Sequence, residues 1–322
     1  MNQYYPMHAA ELLDSVFNIY KKCAPKHFLL NALAYAMFAI ISVVFVFILA
    51  TVGVMAFLRD YATMFDMAVL TPSTILVSIL IVVGYLIFLS ITNIFVRSGA
   101  FVINKHAFYN QKRDFNVVFK EAAHAIPKAF TVFSAQVLLA SLLILLLGIM
   151  ALPFYIFFPF YLSLRQTGMA VLLTLFVILI FFVYALVATA FLLAIPVAVY
   201  EDKFFFSAIR RGFSLIKEDF WSVFGLVCIW TLVYAGLSYS LTAVVDVGPG
   251  IIAAFNDNFA IALDSVLIFV QLFNILFSLA VSFVISPLNN IFSSMVYFNQ
   301  RIKHEGLDIS IQLEKLKEAG GK

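Results

Sequence analysis

The chain has 322 residues, of which 64% are hydrophobic and 11% charged, and its formal net charge is +3. Water-soluble domains average about 45–50% apolar and about 25% charged residues, so this composition excludes an ordinary soluble domain. The positive charge does not indicate nucleic-acid binding, because the basic residues flank apolar runs and form no basic face in water.

Six apolar runs are long enough to cross a bilayer. A spanning helix needs about 20 apolar residues, and lipid offers no hydrogen-bond partner to an unpaired backbone group. In chain order the runs cover about residues 28–57, 73–96, 130–152, 169–196, 220–245 and 263–296. We therefore predict an all-α, polytopic integral membrane protein with six transmembrane helices, forming a single membrane domain over residues 1–322.

The basic residues predict the orientation of these runs. Of the 20 Lys and Arg residues, only Arg59 and Arg165 lie in the loops after the first, third and fifth runs, and the other 18 lie on the opposite side. Lys and Arg concentrate in cytoplasmic loops. We expect a bacterial inner (plasma) membrane protein whose N- and C-termini are cytoplasmic, with residues 308–322 as a cytoplasmic tail.

A short amphipathic segment precedes every second run. Residues 205–220 place apolar side chains on one helical face and basic side chains on the other. The segment is too short to span, and its cationic face suits the anionic inner leaflet. Residues 11–28 and 115–130 align with it without a gap. The pattern predicts three repeats, each with a cytoplasmic interfacial amphipathic helix followed by two spanning helices, over residues 9–112, 113–204 and 205–310.

Three segments resemble a known family. Ala194–Gly225, Tyr297–Ile309 and Glu11–Lys22 are similar to the membrane domain of some bacterial glycerophosphodiester phosphodiesterases, a group that includes standalone six-helix proteins of unknown role. The chain departs from the family pattern at Gly212, Phe213 and Asn299. The catalytic barrel of such enzymes needs more than about 200 residues. The longest stretch outside the runs, 97–129, has 33 residues, so the resemblance implies a membrane domain without the hydrolase.

The family-like residues suggest a docking surface in the cytoplasmic segments. The candidates are Arg210, Arg211, Trp221, Arg301, Glu305 and Gly306. The first hypothesis is accordingly a non-enzymatic inner-membrane protein that acts as a scaffold or partner subunit of an envelope process. Its partner would be a membrane or cytoplasmic protein that binds these interfacial helices, and the oligomeric state stays open.

Amides within the apolar runs are the other candidates for function. These are Asn31, Asn93, Gln136, Gln271, Asn274, Asn289 and Asn290. A buried amide in lipid is costly unless it is hydrogen-bonded, so such groups either bridge helices or line a polar cavity. A cavity would favour a second hypothesis, a transporter or flippase for a lipid or small amphiphile. No acidic or basic residue lies deep in a run, which disfavours an ion-driven pump.

Sequence motifs give little support to catalysis or metal binding. No nucleophile motif, phosphate-binding loop or paired-cysteine zinc pattern occurs. Glu121 and His124 form one Glu-x-x-His pair, whereas a carboxylate-bridged metal site needs two such pairs with further carboxylates. We expect no enzyme activity, no cofactor and no metal, with membrane lipids as the surroundings. A membrane-embedded hydrolase is the weakest alternative.

Overall fold

The computed structural model describes residues 5–62, 72–111, 113–161, 166–256 and 263–320. This part of the chain is entirely helical apart from short turns and contains no strand. The 3₁₀ turn Lys217–Asp219 separates the sixth and seventh α-helices. In chain order the α-helices are α1 Ala9–Ala62, α2 Pro72–Phe108, α3 Phe115–Tyr161, α4 Gln166–Phe191, α5 Ala194–Tyr200, α6 Phe205–Ile216, α7 Phe220–Asn256, α8 Leu263–Glu305 and α9 Leu307–Gly320.

Six stretches of helix are long and apolar enough to cross a membrane, which confirms the predicted multi-pass architecture. They coincide in order with the six apolar runs of the sequence. The stretches are Ala9–Ile48, Val82–Phe108, Phe115–Leu143, Thr174–Tyr200, Phe205–Ala243 and Ala280–Glu305.

The helices pack tightly in one half of the bundle, which we call the terminal half because it holds the beginning of α1 and the end of α8. Described buried residues fall between Leu12 and Ala34, Ile94 and Ala135, Ala185 and Trp230, and Ile285 and Ile311. In the other half, described apolar side chains such as Phe47 remain largely exposed. Lipid solvates such side chains as well as a protein interior does, so their exposure is not costly in a membrane.

The C-terminal part of α8 forms the centre of the terminal half. Every residue from Ile291 to Gln300 is buried, and the rings of Phe108 and Phe298 stack with their centroids 4.1 Å apart. The amino-terminal segment is tied to the same place, because the backbone N–H of Met7 donates to Oδ1 of Asn299 over 2.8 Å. Helices from both ends of the chain thus share one core.

Two of the predicted amphipathic segments continue directly into long helices. Residues 11–28 belong to α1, which has 54 residues and contains Pro25, and residues 115–130 belong to α3. A helix of that length extends roughly 80 Å, well beyond the bilayer core of about 30 Å, so the first part of α1 projects past the membrane. Only the third segment is a separate helix, α6, because the 3₁₀ turn interrupts it before α7.

A proline interrupts the helix between α4 and α5. Pro196 has no N–H to donate to the carbonyl of Leu192, and its ring would clash with that carbonyl in a continuous helix. The helix therefore ends at Phe191 and resumes at Ala194. The α4–α5 break lies beside Gly212 of α6, where an added Cβ would come within 3.1 Å of the backbone N of Ala194. Glycine at this position allows α6 to lie directly against the break.

Candidate functional site

Two of the cavities between the described helices share lining residues. The larger has a volume of about 550 Å³ and is bounded by α2, α3, α4, α5, α7 and α8. The smaller, about 270 Å³, lies mainly between α1, α2 and α8, with Tyr234 of α7 in its wall. Pockets for small molecules usually measure about 300–1,000 Å³, so the larger cavity has room for an organic ligand.

The larger cavity opens toward the surface that lipid would cover. Its walls include Val137 of α3, which is 49% exposed, and Tyr184 of α4, which is 64% exposed. Apolar side chains such as Leu143 and Val187 cover much of the remaining wall. A molecule with an apolar chain could therefore enter sideways between α3 and α4 from the bilayer.

Four of the predicted amides line these cavities. Asn289 and Asn290 of α8 contribute to both, Asn93 of α2 lines the smaller cavity, and Gln136 of α3 lines the larger one. Gln136 also bridges helices, since its Nε2 donates to the carbonyl oxygen of Phe191 over 3.1 Å. That carbonyl lies at the end of α4, where the break removes its helical partner.

The remaining predicted amides do not line either cavity in the described structure. Asn31 is buried and bridges α1 to α8: its Nδ2 donates to the carbonyl oxygen of Phe283 over 3.1 Å and to Oγ of Ser286 over 3.2 Å. It is therefore a helix-bridging residue, one of the two roles predicted for this set. The side chains of Gln271 and Asn274 lie outside the described residues.

Arg97 is the residue of this site that the sequence did not predict. It lies on α2 directly after the second apolar run and lines both cavities together with Asn289 and Asn290. The predicted run ends at residue 96, whereas the apolar helical stretch of the structure, Val82–Phe108, continues beyond it and includes Arg97. A signal was present in the spacing: Asn93 and Arg97 are four residues apart, so they share one face of α2.

The orientation of the Asn289 amide is set by a tryptophan. The indole Nε1 of Trp230 in α7 donates to Oδ1 of Asn289 over 3.1 Å. The Trp230 ring stacks on Phe292, with 4.7 Å between the ring centroids. Because the amide oxygen is engaged by the indole, the NH₂ group of Asn289 is left to donate elsewhere.

Three of the six predicted docking residues, Arg211, Arg301 and Glu305, contact one another at the end of the terminal half. The Arg211 guanidinium contacts the carboxylates of both Glu201 and Glu305, with 2.9 Å from its Nε to Oε2 of Glu201. Arg301 donates from Nε to Oε2 of Glu305 over 2.9 Å and from Nη1 to the hydroxyl of Tyr297 over 3.3 Å. These residues join α6 to α8 and leave little charge free for a partner.

Glu201 is the centre of this network. It also accepts a hydrogen bond over 3.0 Å from the hydroxyl of Tyr297. Burial raises the pKa of the Glu201 carboxyl, but the hydrogen bonds from Arg211 and Tyr297 and the charges of Arg211 and Lys203 outweigh burial, so its pKa lies below the usual range. Glu201 is thus held as a carboxylate that pairs with α6.

Three predicted docking residues have other positions. Arg210 is exposed on α6, and Trp221 in the first turn of α7 is 70% exposed. Gly306 has a φ of +62° and forms the turn between α8 and α9. A left-handed conformation is favourable for glycine at this position, so the role of Gly306 is conformational.

The Glu121–His124 pair of the sequence does not come together as a metal site. Glu121 instead contacts His106 of α2, with 2.9 Å between its Oε2 and Nε2 of the histidine. Within the described ranges, no group of three or more His, Cys, Asp and Glu side chains is arranged to hold a metal ion.

Comparison with known proteins gives no match: no family model, no curated protein and no solved structure matches the chain. The similarity of Ala194–Gly225 and Tyr297–Ile309 to a membrane-domain family therefore stays a prediction.

Proposed function

We propose that the protein is a non-enzymatic inner-membrane protein that binds a lipid or small amphiphile in its cavities and moves it between the bilayer and the protein interior. The observation that carries this proposal is the larger cavity, which combines an apolar wall, an opening on the lipid-facing surface and polar groups from Gln136, Asn289 and Asn290. An amphiphile has an apolar part and a polar part, so its binding site needs both an apolar wall and polar groups. A cavity used only for packing would have no need of several amides at its wall.

The proposed topology has both termini in the cytoplasm and three repeats around the cavities. The helical pairs α1–α2, α3–α4 and α7–α8 each contribute residues to at least one cavity wall. Parallel repeats of this kind would surround a shared site near the middle of the protein. We also propose that the chain is a standalone member of the membrane-domain family that its sequence resembles.

Cross-linking with a lipid tests the proposed function. The full chain is purified in mild detergent, incubated with a phospholipid that carries a photoreactive acyl chain, irradiated and mapped by mass spectrometry. We expect cross-links on buried residues of the larger cavity, such as Val227 and Phe292. The double variant Asn289→Leu with Asn290→Leu should lose them, whereas Asn116→Leu, at an exposed position on α3, should retain them.

The outcome that contradicts this function is also clear. Cross-links confined to the exposed flanks of the helices, such as Phe47 and Leu232, would show annular lipid alone. Equal labelling of the cavity in the double variant and in Asn116→Leu would remove the amides from the proposal.

A docking role is the second candidate, and the exposure of Arg210 and Trp221 favours it. Both residues lie near the junction of α6 and α7, where a partner protein could reach them. Charge reversal with Arg210→Glu should then abolish co-purification of the partner while membrane insertion is unchanged. Arg211 is unsuitable for this test, because its replacement would break the contacts to Glu201 and Glu305.

A further inference from the structure

Arg97 lies in the wall of both cavities and has no counterion among the residues that the structure describes. It forms no hydrogen bond or ion pair with any other described residue, and the phenols of Tyr184 and Tyr234 line the same cavities. Among the described residues that line the two cavities there is no Asp or Glu. A cation in this position lacks the compensation that ionised groups within membranes usually have.

The groups around Arg97 supply further hydrogen-bond donors. The indole of Trp230 occupies the oxygen of Asn289 and leaves its NH₂ group available. Asn290 is 9% exposed, lines both cavities, and its side chain makes no hydrogen bond to another described residue. The guanidinium of Arg97 and the amides of Asn289 and Asn290 therefore line the same two cavities, and the donors of a guanidinium and of amide NH₂ groups are complementary to an oxyanion.

The cavity walls indicate which oxyanion would occupy the site. A guanidinium has a planar fork of donors that matches phosphate geometry, and it is less strongly hydrated than an ammonium group. The larger cavity is otherwise mostly apolar and opens on the lipid-facing side at Val137 and Tyr184. An anion delivered from that side would be carried on an apolar chain.

We infer that Arg97, with the amides of Asn289 and Asn290, binds the phosphate group of an anionic amphiphile whose apolar chain lies in the larger cavity. This inference rests on the proposed function and specifies its ligand class. Arg97 acts as the counterion, and the two amides orient the phosphate oxygens. The smaller cavity, which shares all three residues, holds the headgroup atoms beyond the phosphate.

The experiment measures the preference for phosphate at fixed acyl chains. The full chain in a neutral detergent is titrated with phosphatidylglycerol and, separately, with diacylglycerol of the same chains, and binding is followed by native mass spectrometry. Wild-type protein should prefer phosphatidylglycerol by at least about tenfold, since charge-assisted hydrogen bonds have this strength. Arg97→Gln should bind the two lipids equally, whereas Arg113→Gln, which removes an exposed arginine, should retain the preference.

Two further measurements separate phosphate binding from a structural role of Arg97. After lipid is stripped, Arg97→Gln should be at least as thermally stable as wild type, because an uncompensated charge has been removed. Arg97→Lys should keep part of the preference, because it retains the charge and loses the fork. If Arg97→Gln fails to fold, the lysine variant decides the question.

Competition with inorganic phosphate identifies the source of the phosphate group. If millimolar inorganic phosphate does not displace phosphatidylglycerol, the phosphate group belongs to a lipid headgroup. If inorganic phosphate displaces the lipid and Arg97→Gln loses phosphate binding, the ligand is a free phosphate compound. Equal binding of both lipids by wild type, or an unchanged preference in Arg97→Gln and Arg97→Lys, overturns the inference. In that case cavity cross-linking would still support amphiphile binding, and its absence would remove the proposed function as well.

Discussion

Trp230 of α7 and Asn289 of α8 form a hydrogen bond from the indole Nε1 to the amide Oδ1 over 3.1 Å, beside both cavities. Trp230 is 2% exposed, and its indole N–H is satisfied by the amide oxygen of Asn289. The pair therefore has two effects: it joins two spanning helices, and it determines which end of the Asn289 side chain faces the cavities. Mutations that separate these effects are possible.

Replacing Asn289 by Leu leaves the buried indole N–H of Trp230 without an acceptor. We expect the free energy of unfolding to fall by about 1–3 kcal/mol, as for other unsatisfied buried donors. Adding Trp230→Phe removes the donor, so the double variant should be more stable than the sum of the two single effects predicts. Thermal unfolding of all four proteins in the same detergent gives this comparison, and strictly additive effects would contradict the hydrogen bond.

Glu201 should make stability depend on pH. Its pKa is depressed in the folded protein, so its contribution is present above the unfolded value of about 4.3 and is lost as pH falls through the lower folded value. Glu201→Gln should lower the melting temperature at pH 7 and show a smaller deficit relative to wild type below about pH 4. The groups that lower the pKa of Glu201 are the cations of Arg211 and Lys203 and the hydroxyl of Tyr297.

The matched control for Glu201→Gln is Asp14→Asn, since Asp14 is exposed on α1. That variant should follow wild type at every pH. A deficit of Glu201→Gln that is the same at pH 7 and at pH 3 would mean that the charge of Glu201 does not stabilise the contact between α6 and α8.

Two glycines should respond oppositely to alanine. At Gly212 an added Cβ would lie 3.1 Å from the backbone carbon of Leu193, which has little freedom to move, so Gly212→Ala should destabilise the protein by roughly 1–3 kcal/mol. At Gly225 such a Cβ would meet no atom within 4 Å apart from its chain neighbours and the backbone of its own helix. Gly225→Ala should therefore be neutral or stabilise α7 by up to about 1 kcal/mol. The free energy of unfolding is measured for both variants in parallel. Equal effects of the two variants would contradict this explanation.

The proposed orientation predicts which cysteine variants are labelled from outside the cell. In a background where Cys23 and Cys228 are replaced by Ser, a cysteine at Arg210 should not react with a membrane-impermeant thiol reagent in intact cells. It should react in inverted membrane vesicles. A cysteine at Arg165, in a loop that the charge pattern places outside, should show the reverse. Labelling of position 210 in intact cells would refute the cytoplasmic location of α6.

The predicted docking surface illustrates a limit of reading single residues in a sequence. The sequence groups Arg211, Arg301 and Glu305 because family-like residues cluster in the cytoplasmic segments. In the structure they contact one another and Glu201, so most of their charge is used within the protein. A sequence shows where charges lie along the chain, but pairing depends on distances between helices that are far apart in it.

Arg97 illustrates the same limit at the cavities. It stands at the end of an apolar run, where an arginine is ordinarily explained by the membrane interface. Its lack of a described partner and its position between two cavities follow from how α2 packs near α8, α3 and α4. The spacing of Asn93 and Arg97 on one helical face was the only local indication.

The sequence alone determined the helical class and the six spans, because insertion into lipid depends on the summed transfer free energy of contiguous residues, and that sum can be read locally. The tertiary structure decided that Arg97, Asn289 and Asn290 meet at one wall and that Glu201 holds α6 against α8. These contacts depend on how helices that are far apart in the sequence pack against one another. No single stretch of sequence specifies that packing by itself.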